Sequence, residues 1–344
     1  MRKRGLWWAA ALGAAALWAR LERRAAMSAR VRANDDARRR LLGGLQSEGP
    51  DDSDLAGEIT IVVTACDRPC CIVRFLESVR RYFPTVPVLV CDNSRDTLLP
   101  HGAAVQPAIR WLHPAEGAPH TVGAGRNRLL AHVETPFFFL CDDDHVFTSA
   151  TDLRRMLTFL HDTGYDLVAG CQGRGDYGTA IFEMHEGLAV QRFYRHRGVV
   201  GDGAVDCDRV SNSWLARTDS VRAAGGWEAR VFAAEHAEFF LRCSRRGLRV
   251  AQMAGVWVDH DTRCERVPGL WGGLRRLLPH PDPDYAERRS GGRGWGHARR
   301  ARELERRWCW EKNGVRGIVG RSTRRERLRF LDEMRVLEER GTDL

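Results

Sequence analysis

Short apolar runs alternate with amphipathic stretches through the middle of the chain. The apolar runs have the length of strands and end in polar residues; they lie at residues 59–64, 86–91, 109–113, 137–141, 166–171 and 250–258. Between them, apolar residues recur every three or four positions at residues 69–83, 122–133 and 151–163, which predicts helices that bury one face. Strands alternating with helices predict an α/β fold with a mostly parallel sheet flanked by helices.

The strand predicted at residues 137–141 is followed at once by three acids, Asp142, Asp143 and Asp144. Ligands of parallel sheets bind beyond the carboxyl ends of the strands. We therefore expect this acidic run to share one rim with residues 64–68 and with Asp92 and Asn93. Adjacent carboxylates repel each other, and a divalent cation that also bridges phosphates would offset them. The alternative is a polar loop that caps the next helix.

Glycines mark the start of the helix predicted at residues 122–133. Gly123 and Gly125 precede Arg126. The glycines let a ligand approach the backbone closely, and the helix N-terminus together with the charge of Arg126 favours binding of a phosphate. A simple turn is the alternative role of these glycines. Asp67 precedes Pro69 and is predicted to cap the helix at residues 69–83.

Two further clusters follow later strands. Glu235, His236 and Glu238 lie at the start of a predicted helix, where carboxylates serve either as partners of the helix dipole or as a general base. His260 follows the strand predicted at residues 250–258 and is either a metal ligand or an ordinary loop histidine.

The N-terminus carries an apolar run at residues 5–19 between basic clusters. It predicts a signal anchor over residues 1–24, with a cleaved signal or a transit peptide as alternatives. Residues 25–56 are polar and predict a stalk or linker. We expect a catalytic domain over residues 57–265 and an Arg-rich extension over residues 266–344 that ends in a helix.

The net charge of +9 is carried almost wholly by arginine, since Lys3 and Lys312 are the only lysines. The bias to Arg, Ala and Gly is typical of genome composition, and neither a zinc-finger spacing nor a helix-turn-helix accompanies it. No nucleic-acid partner is therefore expected. The ten cysteines include no Cys-x-x-Cys pair, so a zinc site is not expected either.

Seven ordered segments carry a resemblance to a known family. They are RYFPTV (81–86), DNS (92–94), AGRN (124–127), DDDHVFT (142–148), NSWLARTD (212–219), HAEFF (236–240) and VDH (258–260). With them, residues 59–261 resemble nucleotide-sugar glycosyltransferases of the GT-A fold, a Rossmann-like sheet. Specifically, they resemble the β-1,4-N-acetylgalactosaminyltransferases of ganglioside synthesis.

The resemblance implies a role for each motif. Asp142 and Asp144, with His260 as a further ligand, would hold Mn²⁺ or Mg²⁺ against the diphosphate of a UDP-sugar, with Asp143 beside them. Asp92 and Asn93 would contact the nucleoside, and its pocket would be lined by Thr64, Asp67 and Arg68. Arg126 and Asn127 would lie near the diphosphate or the donor sugar.

The resemblance also implies an inverting transfer to a hydroxyl of a glycan, glycolipid or glycoprotein acceptor. Glu238 is the expected base, with Glu235 second and His236 as a positioning group, because the second acid of the usual acidic pair is here a histidine. The family implies a single-pass type II protein of the Golgi membrane with a luminal catalytic domain.

Two other functions compete with this interpretation. A phosphatase of the haloacid dehalogenase type would use Asp142 and Asp144 with the Gly-Asp-Gly-x-x-Asp at residues 201–206, but it needs a lysine between these motifs and the chain has none there. A catalytically inactive sugar-binding protein of the same fold is the non-enzymatic alternative.

Overall fold

The computed structural model describes residues 28, 31–45, 49–94, 96–106, 108–114, 116–173, 175, 177–231, 235–261 and 310–341. The strands are β1 Ile59–Ala65, β2 Val88–Asp92, β3 Ala104–Gln106, β4 Ile109–Leu112, β5 Phe137–Asp142, β6 His145–Val146, β7 Leu167–Gln172, β8 Ala180–His185, β9 Leu188–Phe193, β10 Gly198–Gly201, β11 Ala204–Cys207, β12 Trp214–Arg217, β13 Val250–His260 and β14 Gly317–Arg321. The helices are α1 (residues 31–42), α2 Ser53–Ala56, α3 Pro69–Tyr82, α4 Val122–His132, α5 Leu153–Thr163, α6 Thr218–Ala223, α7 Glu235–Arg245 and α8 Arg324–Gly341.

Eleven strands form one sheet in the order β10-β11-β13-β7-β12-β5-β1-β2-β4-β3, with β6 paired to β13. Strands β5, β1, β2 and β4 are parallel neighbours, and β7 and β13 form a second parallel pair. Strand β12 runs antiparallel between β5 and β7, so these two parallel groups point the same way. The prediction of an α/β fold with a large, mostly parallel sheet is confirmed.

Helices cover both faces of this sheet because side chains of a strand alternate between its faces. On one face, Phe137 and Phe139 pack in a core with residues of α1, α3 and α5. On the other, Phe138 and Leu140 pack in a second core with residues of α4, α6 and α7. The strand that leads to the three acids is therefore buried on both sides.

Residues 31–45 belong to this domain and are not a free stalk. Ala37, Leu41 and Leu45 are buried in the core that includes α3. The prediction of a linker over residues 25–56 did not include this packing, because three apolar positions among many polar ones give a weak periodic signal.

The C-terminal residues 310–341 also pack on the domain. Strand β14 adds to β9 in parallel, which completes a small sheet with β8. Helix α8 lies on β13, and Phe330, Met334 and Leu337 are buried there. The catalytic domain was expected to end at residue 265. Among the described residues, however, residues 310–341 pack on that domain and belong to it.

None of the helices in the described residues is both long and apolar enough to cross a bilayer. The anchor predicted for residues 1–24 lies outside the described part of the chain.

Candidate active site

The carboxyl ends of three parallel strands bring the candidate residues to one rim. In the register of the sheet, Thr64 lies beside Asp142, and Ala65 lies beside Asp92. The prediction that these strand ends share one rim is confirmed. We call residues Asp142, Asp143 and Asp144, which follow β5, the acidic turn.

The acidic turn is closed by a short strand. His145 and Val146 form β6, which pairs with the end of β13 so that His145 lies opposite His260. The two imidazole rings meet edge to face with centroids 5.9 Å apart. The backbone N–H of Asp261 also donates to the carbonyl of Asp144 at 2.8 Å. The end of β13 therefore fixes the position of the turn.

Asp142 is held as an anion. Its carboxylate accepts hydrogen bonds from Asn212 Nδ2 at 2.8 and 3.0 Å and from Arg126 Nη2 at 3.2 Å. Burial works to raise its pKa, but the positive charge of Arg126 and the hydrogen bond from Asn212 outweigh it, and the pKa falls to about 2.

Asp143 and Asp144 share one guanidinium. Arg68 binds Asp143, and its Nη1 donates to Asp144 Oδ2 at 2.7 Å. Burial raises the pKa of Asp143 to about 8, although the charge of Arg68 opposes the shift. The positive charge of Arg68 thus offsets the negative charge of the acidic turn. This contact comes in addition to the role expected for Arg68 in the nucleoside pocket.

Three ligand atoms from Asp142, Asp144 and His145 lie within 4.8 Å of one another. Burial lowers the pKa of His145, so its ring is neutral, as metal ligation requires. Two carboxylate oxygens and one imidazole nitrogen suit a divalent cation such as Mn²⁺. The residues therefore fit the expected metal. His260 instead contacts Asp144 Oδ2 at 3.3 Å and is 41 % exposed.

His145 was missed as a candidate ligand in the sequence. Its signal was the position directly after the acidic run, within an Asp-x-Asp-His spacing, but only the fold shows that one of its ring nitrogens lies within 4.8 Å of the carboxylate oxygens. Asn212 was likewise noted only as part of a motif. It comes from the segment before β12, which reaches the rim because β12 runs next to β5.

Arg126 is a buried cation with unused donors. Its side chain is 2 % exposed, and beyond the bond to Asp142 its Nε and Nη1 atoms have no hydrogen-bond partner among the described residues. The guanidinium carbon lies 5.7 Å from the centre of the Trp227 ring. Buried donors without partners are rare in proteins, so this arrangement suits an anionic ligand at the rim.

The neighbouring residues of α4 also serve packing. A side chain on Gly123 would lie 2.7 Å from the carbonyl oxygen of Glu228, and one on Gly125 would lie 2.9 Å from both Thr64 and Asn93. These glycines let α4 approach its neighbours closely, a packing role that comes in addition to the phosphate role predicted for them.

Asn127 also holds a neighbouring loop. Its Nδ2 donates to the Trp227 carbonyl and its Oδ1 accepts from the Trp227 N–H, both at 2.7 Å. The side chain thus holds the loop after Gly226, and one of its two donor hydrogens is engaged there.

The nucleoside side of the rim is built around Asp92. This residue is 1 % exposed, and its carboxylate accepts hydrogen bonds from Ser94 N–H, Leu98 N–H and Trp111 Nε1 at 3.0 to 3.2 Å. Asn93 donates to the Thr121 carbonyl at 3.2 Å. Both side chains thus shape the loop after β2.

Asp67 does not cap helix α3 as expected. Its φ is +56°, and Arg68 occupies the position before the helix without a side-chain cap. The backbone N–H of Asp67 donates to Ser94 Oγ at 2.8 Å, which ties the loop after β1 to the loop after β2.

The start of α7 places the two candidate bases, Glu235 and Glu238, and the expected positioning group, His236, in different surroundings. Glu238 is 0 % exposed, and both of its oxygens are held by Arg242 at 2.8 and 3.0 Å. This burial speaks against Glu238 as the base. His236 is half-buried at the surface, and desolvation with the charges of Arg209 and Arg126 lowers its pKa well below the ordinary value. Glu235 is only partly buried, and its charge reaches Arg209.

Comparisons with known proteins agree with this geometry. Residues 60–224 match the family "Glycosyl transferase family 2". Beta-1,4 N-acetylgalactosaminyltransferase 1 of Homo sapiens is 33% identical over 201 residues, which are 55% of this chain and 36% of that protein. Beta-1,4 N-acetylgalactosaminyltransferase 2 of Mus musculus is 27% identical over 220 residues, or 60% of this chain and 39% of that protein.

A solved structure also aligns with the chain. It is a mannosyltransferase from Pyrobaculum calidifontis in complex with GDP-Man and Mn²⁺, with 14% sequence identity and a TM-score of 0.44, covering 85% of this chain and 83% of that one. The matches to the two curated relatives span little more than a third of their length. Over its matched region, the chain resembles glycosyl transferase family 2 and the β-1,4-N-acetylgalactosaminyltransferases, as the sequence predicted.

Proposed function

We propose that the chain is a metal-dependent, inverting glycosyltransferase that moves a sugar from a nucleotide-sugar donor to an acceptor hydroxyl. The observation that carries this proposal is the pairing of a metal-binding cluster, Asp142, Asp144 and His145, with the unused donors of buried Arg126 on the same rim. The metal-binding cluster suits a divalent cation, and the donors of Arg126 suit an anion. A diphosphate bound to a metal ion requires both.

The donor is a UDP-sugar, and N-acetylgalactosamine is its proposed sugar. The choice of this sugar rests on the names of the two curated relatives, both of which are N-acetylgalactosaminyltransferases. The acceptor is a hydroxyl of a glycan, glycolipid or glycoprotein.

The residues divide the reaction between them. Asp142, Asp144 and His145 would hold Mn²⁺ or Mg²⁺, which supplies Lewis-acid stabilisation to the departing diphosphate when bound. Arg126 donates to the diphosphate and so binds and orients the donor. Glu235 takes the proton of the acceptor hydroxyl as its oxygen bonds to the anomeric carbon and the bond from that carbon to the diphosphate breaks.

We also propose a luminal position in the Golgi with an N-terminal anchor. The apolar run at residues 5–19 supports an anchor. Cys70 is disulfide-bonded, and disulfides persist in oxidising compartments.

A phosphatase of the haloacid dehalogenase type finds no support in the structure. Asp206, which would complete its second motif, accepts a hydrogen bond from Tyr165 at 2.7 Å. Tyr165 precedes β7, so this aspartate lies towards the amino end of that strand. The acidic turn lies at the opposite, carboxyl end of the sheet.

The test is hydrolysis and transfer with a panel of UDP-, GDP- and CMP-sugars by the full chain, with Mn²⁺ or with EDTA. We expect release of UDP from UDP-N-acetylgalactosamine that EDTA abolishes. Asp144→Ala should lose this activity and also bind Mn²⁺ more weakly in calorimetry, while Asp332→Ala, an exposed acid on α8, should behave as the wild type.

Other outcomes separate the parts of the proposal. Metal-dependent turnover of a different donor would keep the mechanism and reject the sugar. Binding of a nucleotide sugar without hydrolysis or transfer to any acceptor would favour the inactive sugar-binding protein. A folded chain that binds no nucleotide sugar would reject the proposal as a whole.

A further inference from the structure

The small sheet of β8, β9 and β14 carries an open groove at the end of β9. Its volume of about 600 Å³ lies within the range of ligand sites in proteins. Strand β14 and the start of α8 complete its walls. The side chains that line the groove are Arg192, Phe193, Arg321, Ser322, Thr323 and Glu326. An aromatic ring, charged groups and hydroxyls thus border one space that is large enough for sugar rings.

The walls of the groove are held by contacts within the chain. Thr323 Oγ1 accepts a hydrogen bond from the Glu326 N–H at 3.2 Å, and the Glu326 carboxylate accepts one from the Thr323 N–H at 2.7 Å, which is a capping box. Arg195 Nη2 also binds Glu326 Oε1 at 2.6 Å. On β9, Arg192 Nε donates to Glu183 at 2.6 Å. These contacts give the groove a defined shape.

Phe193 is the aromatic residue of the groove. It is the last residue of β9 and is half-buried. A side chain on Gly320 would lie 2.8 Å from Phe193 Cε2, so glycine at this position of β14 leaves room for the ring. The face of an aromatic ring carries partial negative charge and attracts the C–H groups on the apolar face of a sugar. The ring is therefore suited to stack against a sugar.

Arg209 connects this ring to the proposed base. Its guanidinium carbon lies 5.1 Å from the centre of the Phe193 ring. Burial lowers the pKa of Arg209 to about 10, and the negative charge of Glu235 opposes this shift, so Glu235 lies near the same guanidinium. Helix α7, which begins at Glu235, also packs on the small sheet, where Leu241 and Ala189 share a core. The groove therefore lies next to the place where the acceptor hydroxyl would lose its proton.

We propose that this groove binds the acceptor glycan, an inference that rests on the proposed glycosyltransferase function. A sugar ring of the acceptor stacks on Phe193, and its hydroxyls bind the arginine and hydroxyl groups that line the groove. The hydroxyl that reacts lies beyond Arg209, at Glu235. The donor is held elsewhere, by Arg126 and the acidic turn, so the groove determines which acceptor is used.

The experiment separates acceptor binding from donor binding. The full chain with Mn²⁺ transfers label to a glycan array from UDP-N-acetylgalactosamine, or from the nucleotide sugar that the wild type prefers in the donor panel. The glycan that receives most label then serves as acceptor in steady-state kinetics. We expect Phe193→Leu, which keeps an apolar side chain but removes the aromatic face, to raise the acceptor KM about threefold to tenfold. Hydrolysis of the donor in water should be unchanged.

Three further variants complete the experiment. Phe193→Tyr, which restores an aromatic face, should keep the acceptor KM of the wild type. Arg321→Ala should also raise the acceptor KM; this residue is exposed, so its substitution tests the groove even if Phe193→Leu does not fold. Met184→Ala is the matched control, because Met184 is 52% exposed on β8 of the same small sheet and does not line the groove. It should behave as the wild type.

The outcomes distinguish this inference from the function on which it rests. An unchanged acceptor KM in both Phe193→Leu and Arg321→Ala would overturn the inference and leave the proposed function intact. Equal loss of donor hydrolysis and transfer would also overturn it, since Phe193 would then support the fold or the donor site. So would a wild type that hydrolyses the donor but labels no glycan. A wild type that neither hydrolyses nor transfers any nucleotide sugar would reject the proposed function itself.

Discussion

Arg126 Nη2 donates to Asp142 Oδ1 at 3.2 Å, which joins the start of α4 to the acidic turn across the parallel strands. This contact uses one of the guanidinium nitrogens and leaves Nε and Nη1 without hydrogen-bond partners in the described part of the chain. Asp142 therefore orients the guanidinium, and the remaining donors stay available. The relationship indicates that the anion site and the metal-binding cluster are built as one unit.

Replacing Arg126 should impair donor binding more than it impairs folding. We expect Arg126→Met to weaken UDP binding in Mn²⁺ by about tenfold to a hundredfold, because hydrogen bonds to charged groups are worth about 1.5 to 3 kcal/mol. Calorimetry gives the affinity. Arg128→Met, two residues along the same helix, is the control and should bind UDP normally. Unchanged affinity in Arg126→Met would remove Arg126 from the site.

Glu235 and Glu238 should respond differently to the loss of their charge. We expect Glu235→Gln to lower kcat for sugar transfer by about a hundredfold or more with little change in the donor KM, as loss of a general base implies. Glu238→Gln should lower stability, because it leaves Arg242 buried without its anionic partner.

Two measurements on the same protein samples decide this assignment: steady-state kinetics and thermal unfolding. A Glu238→Gln protein that keeps wild-type stability but loses kcat would return the base role to Glu238. Wild-type kcat in Glu235→Gln would exclude Glu235.

The strands and helices of the central sheet follow from the sequence because each has a strong local signal. Buried parallel strands are continuous apolar runs, and the phenylalanines at residues 137–139 are an example. Strand β12 has only four residues, and β14 pairs with β9, which lies far earlier in the chain, so local periodicity does not predict these pairings.

The location of the candidate site was predictable from the sequence, but the roles of its individual residues were less so. The predicted strand ends located the rim, because the rule that ligands bind beyond the carboxyl ends of parallel strands depends only on strand direction. The role of Asn127 depends on its contact with Trp227, which is distant in the sequence. The role of Glu238 depends on its ion pair with Arg242, one helical turn away. Neither partner can be recognised from the polar residues alone. The packing of helix α1 on the domain was not predictable from the sequence, because its contacts lie about sixty residues away in the chain.

Lys312 should contribute to stability only where Glu228 is ionised. Lys312 Nζ lies 2.5 Å from Glu228 Oε2. Burial works to raise the pKa of Glu228, but hydrogen bonds from Lys312 and Arg230 outweigh it, so the pKa lies below its ordinary value of 4.5. A carboxyl group with a lowered pKa stabilises the fold above its ordinary pKa, and this contribution is lost as the pH falls through the folded value.

We therefore expect Lys312→Met to lower the free energy of unfolding by about 0.5 to 1 kcal/mol at pH 7, since the lysine is partly exposed to solvent. The difference from the wild type should shrink below pH 4.5. Urea unfolding at several pH values measures it, and Lys312→Arg should retain most of the stability. A difference that is independent of pH would show that the contact acts through packing and not through charge.

Helix α8 should unfold together with the rest of the domain. Phe330 is 2 % exposed and packs against Tyr177, with ring centroids 5.7 Å apart, and against Tyr194. Phe330→Ala should lower the free energy of unfolding by about 3 to 5 kcal/mol, as removal of a buried phenylalanine does. Leu328 on the same helix is 52% exposed, so Leu328→Ala should change it by less than about 0.5 kcal/mol.

Urea unfolding followed by far-UV circular dichroism and by tryptophan fluorescence measures this coupling. If α8 is part of one cooperative domain, Phe330→Ala shifts both signals to lower urea by the same amount, because one transition unfolds helix and sheet together. A separate early loss of helical signal, with the fluorescence transition unmoved, would mean that the C-terminal helix is an independent attachment. Trp111 and Trp214 report the sheet because they are buried in its two cores, and the measurement is made in a Trp257→Phe background, since Trp257 packs in the same cluster as Phe330.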